Sequence, residues 1–174
     1  LKNVNIDTAN IISSGGSIGG VIGNSNNYEF EDLTLNNINI LVKDAKSPTV
    51  GGLVGGGIGN INNIYINNVN IKVENISESA KVGGIIGYGV DTNKIISNVV
   101  INGNIEADSG RVGGIIGSGS LKANNNIIKV NIVANGNFVG GLEGEKSSQG
   151  DQVKNNLYIG NIINEKETEY TGAL

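Results

Sequence analysis

The hexapeptide Val82-Gly83-Gly84-Ile85-Ile86-Gly87 is one of five near-identical copies, and their spacing limits the folds open to this chain more than any other feature. The others are Ile18-Gly19-Gly20-Val21-Ile22-Gly23, Val50-Gly51-Gly52-Leu53-Val54-Gly55, Val112-Gly113-Gly114-Ile115-Ile116-Gly117 and Val139-Gly140-Gly141-Leu142-Glu143-Gly144. From the first Gly of each pair the steps are 32, 32, 30 and 27 residues, a period that belongs to solenoids or propeller blades. A sixth copy is cut short at Thr171-Gly172-Ala173-Leu174. The chain has 28 Gly and 30 Asn in 174 residues but only one Pro, so neither collagen nor a disordered linker accounts for the glycine.

Between the copies runs a second motif with the period of a strand. It reads Asn3-Val4-Asn5-Ile6, Asn37-Ile38-Asn39-Ile40 and Asn68-Val69-Asn70-Ile71, with looser forms at 100–105, 129–132 and 159–162. Apolar residues alternate with polar ones in Leu33, Leu35, Ile38, Ile40, Val42 and in Ile64, Ile66, Val69, Ile71, Val73. Such alternation predicts strands with one face in a core and one in water. The parity slips at Asn36-Asn37 and again at Asn67-Asn68, which predicts a turn or bulge at the same place in each repeat. Segments of unequal length, such as 43–48, 74–81, 106–111 and 134–137, read as side loops.

Three strands in ~30 residues suit a coil better than a propeller blade, which needs four strands in ~40 to 45. The expected fold is an all-β parallel β-helix or β-solenoid, five to six coils forming a single segment over 1–174 and truncated within a repeat at both ends. Equivalent residues then stack in columns ~4.8 Å apart, where Asn side chains can bond along the stack. At the glycine pairs a Cβ would either clash with neighbouring backbone or forbid a bend at positive φ, and the mixed parity around them predicts a strand bent or covered on both faces. The structural repeat residues are therefore Gly19, Gly20, Gly51, Gly52, Gly83, Gly84, Gly113, Gly114, Gly140 and Gly141.

Composition removes most chemistry. With no His and no Cys, this chain has no imidazole or thiolate for a zinc site or a nucleophile pair. Twelve basic against sixteen acidic residues, a net charge of −4 and Arg111 as the single Arg argue against nucleic acid. No run reaches the ~18 apolar residues of a membrane-spanning helix.

Three candidate sites remain, each with a plainer reading. Glu78 and Asp108 each lie five residues before their Gly-Gly, so they would share a column at separations that overlap those of glycosidase acid pairs; solvated loop charge is the plainer role. Asp91-Thr92-Asn93, with Glu143, Glu145 and Asp151, offers oxygen ligands for calcium, against turn capping by Asp91. Tyr28, Tyr65, Tyr88, Tyr158 and Tyr170 raise sugar binding, but they fall at different points of the repeat and form no strip. Core-edge packing with a wet hydroxyl is their plainer role. None of these is assigned as a catalytic, cofactor or metal site.

The segments Val50 to Gly55 and Val82 to Gly87 resemble the GLUG motif, named for Gly-Leu-hydrophobic-Gly, and through its period the resemblance covers essentially the whole chain. Glu143 departs from it, standing where the other copies have Ile or Val. Such repeats occur in bacterial surface proteins, among them IgA-specific and related zinc metallopeptidases of Gram-positive bacteria, and in large adhesins. The resemblance implies a secreted or cell-wall-attached parent in which this segment is a non-catalytic scaffold, spacer or recognition module. The family's zinc site is a His-Glu-x-x-His helix, which nothing here matches, so zinc would belong elsewhere in the parent. An adhesin stalk is the alternative and a β-helical glycan-cleaving enzyme the third. Expected partners are a host protein or glycan at the variable loops and adjacent domains of the same chain. The excised chain is also expected to associate end to end through its open coil edges, moderated by the charges of 165–169.

Overall fold

Ile, Val and Asn alternate through most of the chain, and β-branched residues suit a pleated, half-buried surface. The structure, a computed structural model, describes residues 1–146, 152–166 and 170–172, with their side chains except those of Thr92 and Leu121. Every element among the described residues is a strand, and none is a helix. In chain order they are β1 (Lys2–Ile6), β2 (Ala9–Ser13), β3 (Ser17–Gly19), β4 (Ile22–Lys43), β5 (Thr49–Gly51), β6 (Val54–Glu74), β7 (Lys81–Gly83), β8 (Ile86–Ala107) and β9 (Arg111–Gly113). Then follow β10 (Ile116–Asn124), β11 (Ile127–Ala134), β12 (Phe138–Gly140), β13 (Glu143–Lys146), β14 (Gln152–Lys154), β15 (Leu157–Tyr158), β16 (Ile162–Asn164) and β17 (Tyr170–Gly172).

The chain is a parallel β-solenoid of about five turns. One sheet stacks the three-residue strands in the order β17-β12-β9-β7-β5-β3, and the other runs along β1-β4-β6-β8-β10-β13. The sixth glycine copy takes its place in this stack, with Val139 paired to Thr171 and Gly140 to Gly172; Ala173 and Leu174 lie outside the described residues. Each turn of the middle region thus holds one short strand and one long strand of 21 or 22 residues, where the sequence suggested three short ones. The long strand keeps its ladder while turning corners.

The corners are asparagines, with one aspartate, in the left-handed region, which Asn and Asp tolerate better than most residues with a Cβ. One column is formed by Asn3, Asp32, Asn63, Asn98, Asn125 and Asn155, with φ between 53° and 58° in all six. The second lies at Asn37 and Asn68, φ 53° and 63°, where the parity slip predicted it. In the next coil Asn102 alone replaces Asn67-Asn68, and Gly103 pairs with Val69 across the resulting bulge.

Inside the corners like stacks on like. Leu35, Ile66 and Ile101 form one column, and Ile40, Ile71 and Ile105 another, all 2% exposed or less. All ten apolar residues of the two alternating runs are buried. At ~25 cal/mol per Å2 of apolar surface, this continuous core is the main source of stability.

At the glycine pairs both expectations about the strand hold. β5 breaks at Gly52-Leu53 before β6 begins, and Val50 to Gly55 are all buried. The reason for glycine is space. A Cβ on Gly19, Gly51, Gly83 or Gly113 would come within 3.0 Å of the carbonyl oxygen three residues on. One on Gly20, Gly52, Gly84 or Gly114 would meet the carbonyl of the equivalent glycine in the next coil. Gly140 continues the column through Gly113 and Gly172, and the Gly141 N–H donates to the Gly172 carbonyl at 3.0 Å. Glu143 does not disturb this arrangement, since it pairs with Ile116 in the regular register.

Candidate functional site

The stacked strands bring the third motif position into a ladder of amides. Asn39 Nδ2 donates to Asn10 Oδ1 at 3.0 Å, Asn70 to Asn39 at 3.1 Å, Asn104 to Asn70 at 3.1 Å and Asn131 to Asn104 at 3.3 Å. The Asn161 backbone N–H closes the series on Asn131 Oδ1 at 3.1 Å. This corrects the alignment of the first motif copy. Asn5 pairs with Thr34, and the residue that aligns with Asn39 is Asn10. Shorter ladders run at the corners, from Asn68 to Asn37 and from Asn102 to Asn67. Asn126, wholly buried, accepts from the Val99 N–H at 2.9 Å and donates to the Ile96 carbonyl and to Asn156. Beside the long ladder lies an open hollow of about 470 Å3, bordered by Ile12, Leu41, Lys72 and Glu106. Lys72 pairs with Glu74 at 2.9 Å, and that hydrogen-bonded carboxylate raises its ammonium pKa.

The acids are held by separate structural partners. Glu78 pairs with Lys46 at 3.0 Å, while Asp108 Oδ2 accepts from the Asn75 backbone N–H one coil away. Asp91 accepts from the Asn93 N–H at 2.8 Å, the turn-capping role set against calcium. Glu145 forms an ion pair with Arg111 and accepts from Ser118 at 2.8 Å. Asp151, with 167–169 of the charged stretch, lies outside the described residues. Among the described residues no group of three or more acids is placed to hold a metal ion.

The tyrosines divide. Tyr28 is not at the core edge: it is 5% exposed and stacks on Phe30 at 5.0 Å, and its hydroxyl has no hydrogen-bond partner among the described residues. Burial pushes its proton affinity up strongly. Tyr158 donates to the Val130 carbonyl at 2.8 Å, and Tyr170 stacks on Phe138 at 5.2 Å. Tyr65 and Tyr88 present exposed rings, the latter with the Lys81 ammonium 5.1 Å from its centroid.

Tyr88 stands over a second hollow, of about 340 Å3, that the sequence reading did not find. Its column runs Asn24, Gly56, Tyr88, Ser118, so Gly56 leaves a gap one coil wide between Asn24 and Tyr88. Here glycine is not demanded by the backbone. A Cβ on Gly56 would meet only side chains, Ser17 Oγ at 3.3 Å, Thr49 Oγ1 at 3.4 Å and Asn24 at 3.8 Å. Beside the gap β8 bulges, using seven residues, 89–95, where β6 uses four, 57–60. Two sequence signals mark the place: the third consecutive glycine of Gly55-Gly56-Gly57, and the eight residues between Gly87 and Ile96 where the preceding repeat has five between Gly55 and Ile61.

Compared with known family models, with curated proteins and with solved structures, the chain matches none.

Proposed function

We propose that this chain is a non-catalytic β-solenoid scaffold or spacer of a secreted or surface-attached bacterial protein, the parent suggested by the GLUG resemblance being a zinc metallopeptidase of the IgA-protease type. The observation that carries the scaffold reading is the parallel pairing of coil on coil, resumed after each bulge, with six levels of the corner column holding one backbone conformation. Six levels at ~4.8 Å give a rod roughly 25 Å long. The separate engagement of Glu78 and Asp108 weighs against a glycan-cleaving enzyme. A zinc site of the parent's kind needs His ligands, which this segment does not contain, so its residues do not fit that metal.

The test is replacement within the parent. If this segment is exchanged for an unrelated β-solenoid of equal length, a spacer predicts retained activity and surface display. Loss of substrate or host binding despite normal display would overturn the spacer reading. A second reading, a recognition module as in an adhesin stalk, is favoured by the hollow beside Tyr88.

A further inference from the structure

We infer that the notch between Asn24 and Tyr88 binds a neutral pyranose unit of a glycan. This deepens the recognition reading and does not depend on which enzyme or adhesin is the parent.

The first argument is the state of two amides. Many of the chain's asparagines are laddered, whereas the side chains of Asn24 and Asn26 make no hydrogen bond among the described residues, and both are exposed. Their column partners in β6 are Gly56 and Ile58, which carry no amide to accept or donate. The donors and acceptors that a ladder would absorb therefore face the notch.

The second argument is the composition of the walls. Every residue lining the hollow is uncharged, in a chain with 28 charged side chains. Amides line one side, the Ser17 and Thr49 hydroxyls the floor, and the Tyr88 ring the far wall, with Val90 44% exposed beside it. Such a set matches a ligand that is hydroxyl-rich on its rim and apolar on its C–H face, because a tyrosine offers a flat apolar surface next to polar partners. The lining itself is uncharged, with the Lys81 ammonium already engaged over the Tyr88 ring, and a purely apolar partner would strand the free amides. The volume lies at the lower end of the ~300–1,000 Å3 typical of small-molecule sites, which suits one ring and not a long chain.

The third argument is architecture. The bulge of β8 sits against this notch, and its turn is held by Asp91 accepting from Asn93 and by the Ile95 N–H donating to Asn60 Oδ1 at 3.2 Å. Bulges that re-aim a sheet surface recur beside functional sites.

The experiment uses the 174-residue chain, 15N-labelled, titrated separately with cellobiose, lactose and mannobiose, and with galacturonic acid as the charged counterpart. At least one neutral disaccharide should shift the amides of Gly56, Gly57 and Gly89 at concentrations up to tens of millimolar. Tyr88→Ala should weaken that response about tenfold, which corresponds to the loss of one stacked ring. Gly56→Asn should abolish it while leaving the fold intact, since it supplies the missing rung beside Asn24. Tyr65→Ala, an exposed ring elsewhere, should change nothing. The inference is overturned by silence with all three neutral sugars, by a response that survives Gly56→Asn, or by a stronger response to galacturonic acid. None of these outcomes bears on the replacement experiment, so the two readings fail separately.

Discussion

The glycine seam and the asparagine face hold the same coils in register by opposite means. Along the seam backbone meets backbone, and a Cβ on either glycine of a pair would strike a carbonyl oxygen. On the asparagine face the side chains themselves make the contact, one amide per coil. The seam is therefore specified by exclusion, and its substitutions should be severe and local. The ladder is specified by a series of weak bonds, and its losses should be modest and additive.

The largest predicted effect breaks the seam. Gly84→Val places its side chain against the Gly114 carbonyl and 3.1 Å from Ile101 Cδ1, and we expect destabilisation of about 4 kcal/mol or more. Asn102→Ala, which removes a bond to Asn67 Oδ1 and an acceptor for the Asn68 N–H, should cost about 1 kcal/mol. Equal shifts of the urea midpoint for these two variants would erase the distinction between the regions. Next comes Asn126→Ala, where the removed amide is buried and leaves the Val99 N–H and the Ile96 carbonyl without partners. Equilibrium denaturation should show a loss of about 2 to 3 kcal/mol, larger than for any exposed rung.

A smaller effect separates conformation from bonding. At Asn98, with φ 55°, alanine should be less stable than glycine by about 1 kcal/mol, since both lose the bond to Asn62 but only alanine suffers at positive φ. If thermal melts rank them equally, the corner is held by the ladder and not by the backbone.

The smallest effect at neutral pH concerns a buried polar group that has no column to join. The Tyr28 hydroxyl titrates higher in the folded chain than in the unfolded one, so the unfolded state releases its proton first as pH rises above about 10. Stability should be undiminished by this group below that pH and fall above it. Tyr28→Phe should change neutral stability by no more than about 1 kcal/mol and move the alkaline unfolding midpoint upward. An unchanged alkaline midpoint would assign the loss to other tyrosines.

What the sequence disclosed and what it hid follow from the same repetition. The corner at Asn37 and Asn68 was legible because it flips the parity of the apolar residues on either side. The six-level corner through Asn63 lies just ahead of Leu33 and Ile64, where the two alternating runs begin, and so falls outside them. The first copy, Asn3-Val4-Asn5-Ile6, has the local sequence of Asn37-Ile38-Asn39-Ile40, and only the pairing of Asn5 with Thr34 and of Asn10 with Asn39 assigns it to the other corner. The pairs at Gly51-Gly52 and Gly83-Gly84 left clash and positive φ as equal explanations, since one chain does not show what lies on the adjacent coil. The notch was visible only as an extra glycine and a longer run between Gly87 and Ile96. Its free amides exist because Gly56 and Ile58 lie opposite Asn24 and Asn26, a relation between residues 32 apart.

The long ladder also has a direction. In each of its four side-chain rungs, Nδ2 of the later coil donates to Oδ1 of the earlier one, never the reverse. Aligned amide dipoles add head to tail, as peptide dipoles do along a helix. One flank of the rod is accordingly electropositive toward the Asn10 end and electronegative toward the Asn161 end, giving the array an electrical polarity that its formal charges do not reveal.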